Sequence, residues 1–264
     1  MKIVCLKGGL GNQMFEYCRF RDLMESGNDK VYLFYDRRRL KQHNGLRLSD
    51  CFELELPSCS WGIKLVVWGL KICRAVGVLK RLYDDEKPEA VLIDDYSQHR
   101  RFIPNARRYF FFRQFLAELQ SGFVQMIRAV DYPVSVHVRR GDYLHPSNSI
   151  FGLCGVDYFQ QAIAYVRKKR PDARFFFFSD DMEWVRENLW MEDAVYVEHT
   201  ELMPDYVDLY LMTLCRGHII SNSTFSFWGA YLAVDGNGMK IYPRRWFRDP
   251  TWTSPPIFSE EWVG

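Results

Sequence analysis

From residue 133 to residue 242, strand-like and helix-like runs alternate, and that alternation limits the fold more than any other feature of the chain. Short apolar runs at 134–138, 174–178, 194–197, 217–220 and 239–242 read as buried strands, and 157–169, 182–189, 204–215 and 225–234 read as helices between them. Strands joined through helices run parallel, because the crossover returns the chain to the end of the sheet it left. Such a sheet is covered on both faces, which is why its strands are apolar throughout. The first half begins in the same way. A strand at 2–6 leads into Gly8-Gly9-Leu10-Gly11-Asn12, then into a helix offering Met14, Phe15, Cys18 and Leu23 to a core, then into a strand at 31–35. The expected fold is α/β, with two Rossmann-type lobes whose parallel sheets face a cleft. Asp131-Tyr132-Pro133 breaks the pattern, so the lobes are expected at 1–130 and 131–264. The tail 243–264, rich in Pro and Arg and carrying Trp246, Trp252 and Trp262, is expected to wrap back over a lobe.

The chemistry gathers at strand ends. In 134–138 a period of two puts Val134, Val136 and Val138 on one face, and Ser135, His137 and then Arg139 on the other. Gly141-Asp142 turns the chain. Two more strands end in polar clusters, Ser179-Asp180-Asp181 and Ser221-Asn222-Ser223-Thr224. In a parallel sheet all three clusters share one edge, the edge where ligands bind. Arg139 and Arg140 offer donor forks suited to phosphate oxygens. Ser223 and Thr224 open a helix, where hydroxyls and free N–H groups receive anions. A carboxylate at a strand end accepts paired donors from a base or a ribose. The set points to a nucleotide diphosphate. The alternative is a basic strand end whose arginines pair with carboxylates, and a Ser-Asn-Ser-Thr run that only caps a helix. The glycine loop at 8–12 brings backbone N–H groups toward an anion or a sugar, or else is a tight turn requiring positive φ. Without a third glycine it is not a dinucleotide fingerprint, which disfavours an NAD-binding dehydrogenase.

Composition narrows the class. A net charge of +2 excludes a general nucleic-acid binder. Seven cysteines with no Cys-x-x-Cys suit buried free thiols in a reducing compartment. The chain passes from Met1 directly into a strand, so a signal peptide is not expected and a cytoplasmic location is. Residues 61–82 are apolar but interrupted by Lys64, Lys71, Arg74, Lys80 and Arg81. That rules out a membrane span. It leaves a helix packed on its own lobe, with peripheral contact at the inner membrane face as the alternative. Residues 84–90 are expected to be a charged loop, 91–93 a short strand, and 109–119 a helix or a strand–helix join. No Asp-x-Asp and no zinc-spaced ligand set occurs, so no metal or other cofactor is expected. The adjacent pairs Asp84-Asp85, Asp94-Asp95 and Asp180-Asp181 would face opposite ways on a strand. Without a metal, a leaving diphosphate must be balanced by Arg, Lys and helix N-termini.

Four motifs occur in order: Gly8-Gly9-Leu10-Gly11-Asn12-Gln13-Met14-Phe15, His137-Val138-Arg139-Arg140-Gly141-Asp142-Tyr143, Phe178-Ser179-Asp180-Asp181 and Ser221-Asn222-Ser223-Thr224-Phe225-Ser226-Phe227-Trp228-Gly229-Ala230. As a set they resemble the α-1,2-fucosyltransferases of glycosyltransferase family 11. The resemblance implies a GT-B fold, GDP-β-L-fucose as donor, inversion at the anomeric carbon, and no metal. It implies an N-terminal lobe on the acceptor side and a C-terminal lobe holding the donor. By the same likeness Arg139 grips the diphosphate and His137 contacts the donor. Asp180 or Asp181 reads guanine, the run Ser221-Asn222-Ser223-Thr224 lines the donor with Ser223 and Thr224 on phosphate, and Gly11 and Asn12 approach fucose. The implied acceptor is a terminal galactoside of an oligosaccharide or of a lipid-linked glycan. Inversion ordinarily calls for a general base, for which Asp142 and Glu16 are the candidates, with Asp142 bracing an arginine as the other reading. Glu16 stands where bacterial relatives often carry Gln, and 36–90 matches no family motif. A GDP-sugar or carbohydrate-binding protein of the same fold, without turnover, is the rival reading.

Overall fold

A computed structural model describes residues 1–264 except 28, 42–43, 84–86, 88, 120 and 199–202, and except the side chains of 39, 119 and 121. Much of the loop expected at 84–90, including Asp84-Asp85, therefore lies outside the described residues. The chain forms two compact units, Met1–Arg113 and Gln114–Gly264.

In the first unit three parallel strands, β1 (Lys2–Leu6), β2 (Val31–Tyr35) and β3 (Leu92–Ile93), lie in the order β2-β1-β3. Helix α1 (Leu10–Ser26) packs along β1 and buries Met14, Phe15 and Cys18. It ends at Gly27, whose φ of 70° suits a residue without a Cβ. Two short helices follow, α2 (Arg37–Leu40) and α3 (Leu48–Cys51), and then α4 (Trp61–Ala75). Ile63, Val67 and Leu70 of α4 meet Ile3, Cys5 and Leu92 on the sheet. The stretch expected at 61–82 thus packs on its own unit, as an α-helix to Ala75 and a 3-10 turn over Lys80–Leu82.

The second unit opens with α5 (Phe115–Leu119) and α6 (Ser121–Arg128). These helices precede the break expected to separate the lobes. Asp131-Tyr132-Pro133 marks the start of a strand rather than a linker, and α5 packs on a helix of the second unit. Six parallel strands follow: β4 (Tyr132–Val138), β5 (Ala173–Ser179), β6 (Val195–Tyr196), β7 (Gly217–Ile219), β8 (Lys240–Ile241) and β9 (Trp262–Val263). Their order is β6-β5-β4-β7-β8-β9. Between them run α7 (Val156–Lys169), α8 (Met182–Asn188), α9 (Tyr206–Thr213) and α10 (Thr224–Tyr231).

The tail does more than wrap back. It supplies β9, so the sheet does not end at 239–242 as its sequence pattern suggests. A two-residue strand is too short to show a period. What anchors it is aromatic: Trp262 and Phe258 pack around Phe227 and Tyr242.

This strand order places the site. The chain leaves β4 toward β5 and β6 on one side, then returns to lay β7 against the other side of β4. The order reverses between β4 and β7, and in open α/β sheets the C-terminal ends of the strands at such a reversal are where ligands bind. The two faces of β4 differ as its alternation requires. Val134, Val136 and Val138 join Phe175, Phe177 and Ile219 in a core with Phe159, Ile163 and Val166 of α7. On the opposite face Ser135 meets His218 of β7, Oγ to Nδ1 at 2.8 Å.

Candidate active site

The residues beyond β4, β5 and β7 form one connected network. Arg139 is the first residue past β4. Its Nη2 lies 2.8 Å from Asp142 and its Nη1 lies 3.2 Å from Asp180. Each carboxylate takes one arm of the fork, and neither takes both. Burial works against the Arg139 charge, but Asp180 and Asp142 outweigh it, and the guanidinium pKa is raised. Arg140 donates its backbone N–H to Asp180 at 2.9 Å and its Nε to Asp181 at 3.1 Å, while its guanidinium lies over the Trp184 ring at 3.9 Å. Asp181 also caps α8 by accepting the Trp184 N–H. Ser179 ties the two strand exits together by donating to the Val138 carbonyl and accepting the Asp181 N–H.

Asp180 and Asp181, expected to read a base, here hold the two arginines. The reading in which the arginines pair with carboxylates is therefore realised. A guanidinium fixed from behind by single contacts keeps its direction and has donors to spare.

Under this layer lies a support. Ser221, fully buried, accepts the Arg139 backbone N–H at 3.2 Å and sits 3.1 Å from His137 Nδ1. One buried hydroxyl thus ties the backbone at Arg139 to the His137 ring. Burial, reinforced by the Arg139 charge, pushes the imidazole down to about 3, so His137 is neutral at ordinary pH. Its ring tilts against Phe225, 5.7 Å between centroids.

Asn222 is also fully buried, and its Nδ2 donates to the carbonyls of Gly152 and Trp246 at 2.7 Å each. Its own carbonyl accepts the Tyr143 hydroxyl at 3.0 Å, and the Tyr143 ring stacks on Phe151. Ser221 and Asn222, expected among the donor-binding residues, are thus scaffold in this structure, because their polar atoms are spent inside the protein. Ser223 is the N-cap residue of α10 and makes no side-chain cap bond, and Thr224 is the first residue of that helix. Of the four, these two sit where a helix N-terminus receives an anion.

The remaining expected site residues lie in the first unit. Gly8, with φ 68°, turns the chain after β1, and a Cβ there would come within 2.7 Å of the Asn12 side chain. Gly11 is buried in the first turn of α1, and Asn12 accepts from Gln98 at 2.9 Å. Gln13, fully buried, fastens the loop by donating to the carbonyls of Gly8 and Gly45 and accepting the Arg47 N–H. Glu16 is enclosed as well. Its Oε2 accepts the Lys7 N–H at 2.8 Å, and burial pushes its carboxyl well above the usual range, with the Lys7 contacts pulling the other way. So placed, Glu16 positions the loop. Lys7 lies over the Tyr96 ring and pairs with Asp94.

Trp184, His218 and Gln13 carry parts of this arrangement without having been singled out as site residues. Trp184 had one signal, its place three residues after the capping Asp181. Gln13 lay inside the glycine-loop motif, but its partners Gly45 and Arg47 are 32 and 34 residues away, and His218 had no signal, since its partner is 83 residues away.

Comparison with known proteins gives the chain a family. The model of glycosyl transferase family 11 matches residues 105–264. The chain is 30% identical to the alpha-1,2-colitosyltransferase of Escherichia coli, across 98% of this chain and 96% of that protein. It is 33% identical to the galactoside 2-alpha-L-fucosyltransferase SEC1 of Bos taurus, over 50% of this chain and 37% of that one. Among solved structures, the fucosyltransferase NodZ from Bradyrhizobium superposes with a TM-score of 0.53, covering 88% of this chain and 92% of that one at 16% identity. That likeness carries the fold alone, which is GT-B-like.

Proposed function

The chain belongs to glycosyltransferase family 11, and from that premise we propose that it transfers L-fucose from GDP-β-L-fucose to the 2-hydroxyl of a terminal galactoside, with inversion. The observation that carries the reading is the Arg139 fork, held from behind by Asp142 and Asp180, beside the Ser223-Thr224 start of α10 at the strand-order reversal.

In the reaction, the acceptor oxygen bonds to C1 of the sugar from the face opposite the diphosphate. The bond from C1 to the β-phosphate oxygen breaks, and its electron pair leaves with GDP. Charge grows on the diphosphate as the bond breaks, and donors fixed beforehand at that place stabilise it without reorganising. Arg139 is such a donor, Arg140 adds a second cation, and the N–H groups at the α10 terminus add a third contribution. These groups aim fixed donors at the leaving diphosphate, and the proposal includes activity without a divalent metal. The acceptor proton goes to Asp142 or to water. Asp142 is the half-exposed carboxylate of the network and also braces Arg139.

A second donor has specific support. One bacterial relative, similar over 96% of its length, is named for transfer of colitose, a fucose without its 3-hydroxyl. The proposed acceptor is an oligosaccharide or a lipid-linked glycan, and the proposed location is the cytoplasm, which suits seven free cysteines.

The test is a panel of GDP-fucose and GDP-colitose against β-galactoside acceptors, with the product linkage read by NMR. An α-1,2-linked fucosyl galactoside is expected. Colitose transfer without fucose transfer overturns the donor, and a different linkage overturns the regiochemistry.

A further inference from the structure

Helix α4 carries two apolar stripes, and the unit covers one of them. Ile63, Val67 and Leu70 face the sheet. On the other side Trp61 is 77% exposed, Leu65 60%, Trp68 68% and Ile72 44%. At 3.6 residues per turn these four fall within about 60° of the helix circumference. Val76, Val78 and Leu79 prolong the patch past the helix end, each also exposed. Two tryptophans in water on one stripe exceed the scattered apolar residues that any surface carries.

The charges around the stripe are of one sign. Lys64, Lys71 and Arg74 line one flank of α4, Lys80 and Arg81 follow it, and no acidic residue occurs from 56 to 83. Lys64 lies 5.5 Å from the Trp61 ring centroid. Lys71 and Arg74 reach Asp94 at 3.5 and 3.6 Å, while Lys64, Lys80 and Arg81 are exposed. The acidic residues 84–86 lie outside the described residues. No helix among the described residues is long and apolar enough to cross a membrane. Fifteen residues span about 22 Å, short of a bilayer core.

We propose that the outer face of α4 docks in the plane of an anionic phospholipid bilayer, with Trp61, Leu65, Trp68 and Ile72 in the headgroup–acyl boundary and Lys64, Lys80 and Arg81 on the lipid phosphates. Tryptophan prefers that boundary because its ring is apolar while its N–H needs a polar partner. The cations select anionic lipid, whose surface potential attracts them. The inference goes beyond the transferase reading and does not depend on it, since binding is read without donor or acceptor.

The experiment is flotation of the full chain with vesicles of phosphatidylcholine alone or with 30% phosphatidylglycerol, together with tryptophan emission. The expected result is flotation with the anionic vesicles only, a blue-shifted emission, and release in high salt. Trp61→Ser with Trp68→Ser should lower affinity at least tenfold, and each of Lys64→Gln, Lys80→Gln and Arg81→Gln about fivefold. All five positions are exposed, and unchanged circular dichroism verifies that the variants fold. Absence of flotation overturns the proposal, as does equal flotation of the double tryptophan variant. A dimer in sedimentation velocity that the tryptophan variant dissolves, without vesicle binding, also overturns it and makes the stripe a contact between copies.

Discussion

Asp180 closes on Gly141: its Oδ2 stands 2.9 Å from where a Cβ on residue 141 would be, while its Oδ1 accepts the Arg140 N–H at 2.9 Å. Gly141 has an ordinary negative φ, so the glycine is required by space rather than by backbone conformation. Gly141→Ala should push Asp180 off the turn and loosen both arginines. The expected effect is a fall of about tenfold or more in kcat/KM with little change in thermal midpoint, because a misplacement of about 1 Å is costly to a positioned group. Steady-state kinetics beside a melting curve checks it.

Arg139→Lys keeps the charge and removes the fork. Lysine cannot reach two partners from a planar head, so it cannot both hold to Asp142 and Asp180 and meet a diphosphate. GDP affinity should fall by about tenfold or more in calorimetry, with the secondary structure intact by circular dichroism. An unchanged affinity removes Arg139 from the donor site.

Gln13 ties three backbone groups of the first unit together through one buried amide. Gln13→Ala leaves those groups without their partner inside the protein. A buried polar group left unpaired costs about 1–3 kcal/mol, so a loss of about 3 kcal/mol is expected. A thermal midpoint lower by about 10 °C reads this out.

His137 and His218 are both buried neutral, with burial the main cause and the neighbouring cations Arg139 and Lys240 adding to it, and both are pushed down to about 3. An unfolded histidine titrates at about 6.5. Between those values the unfolded chain binds protons that the folded chain does not, so stability falls as pH falls. Full stability is present above about 6.5, and below it each histidine removes about 1.4 kcal/mol per pH unit down to about 3. Urea unfolding from pH 7 to pH 4 measures the slope. His218→Asn, smaller and without a charge to gain, should flatten it.

The parallel sheets were legible in the sequence because period and composition carry them. Val134, Val136 and Val138 alternate with polar residues, and four consecutive phenylalanines fill β5. The strand-end clusters were legible because parallel strands deliver their ends to one edge. The depth of each residue within the clusters was not. Ser221 and Asn222 share a motif with Ser223 and Thr224, yet two of the four turn inward, and only the fold decides which. The unit boundary at Arg113 was illegible for a related reason: α5 and α6 belong with what they pack on, not with the nearest break in pattern. Glu16 stood as a base candidate from its motif position, and its burial came from the first turns of α1.

Acceptor-dependent release of GDP in the presence of EDTA reports whether Arg139 and the start of α10 hold the diphosphate as it leaves. Wild-type protein, GDP-fucose and a β-galactoside should release GDP in step with product, unaffected by the chelator, and Arg139→Lys should slow release about a hundredfold. Undiminished release by Arg139→Lys, or release that depends on added metal, contradicts the account of how the diphosphate is held. Tight GDP binding with no release across the donor and acceptor panel contradicts the transferase itself.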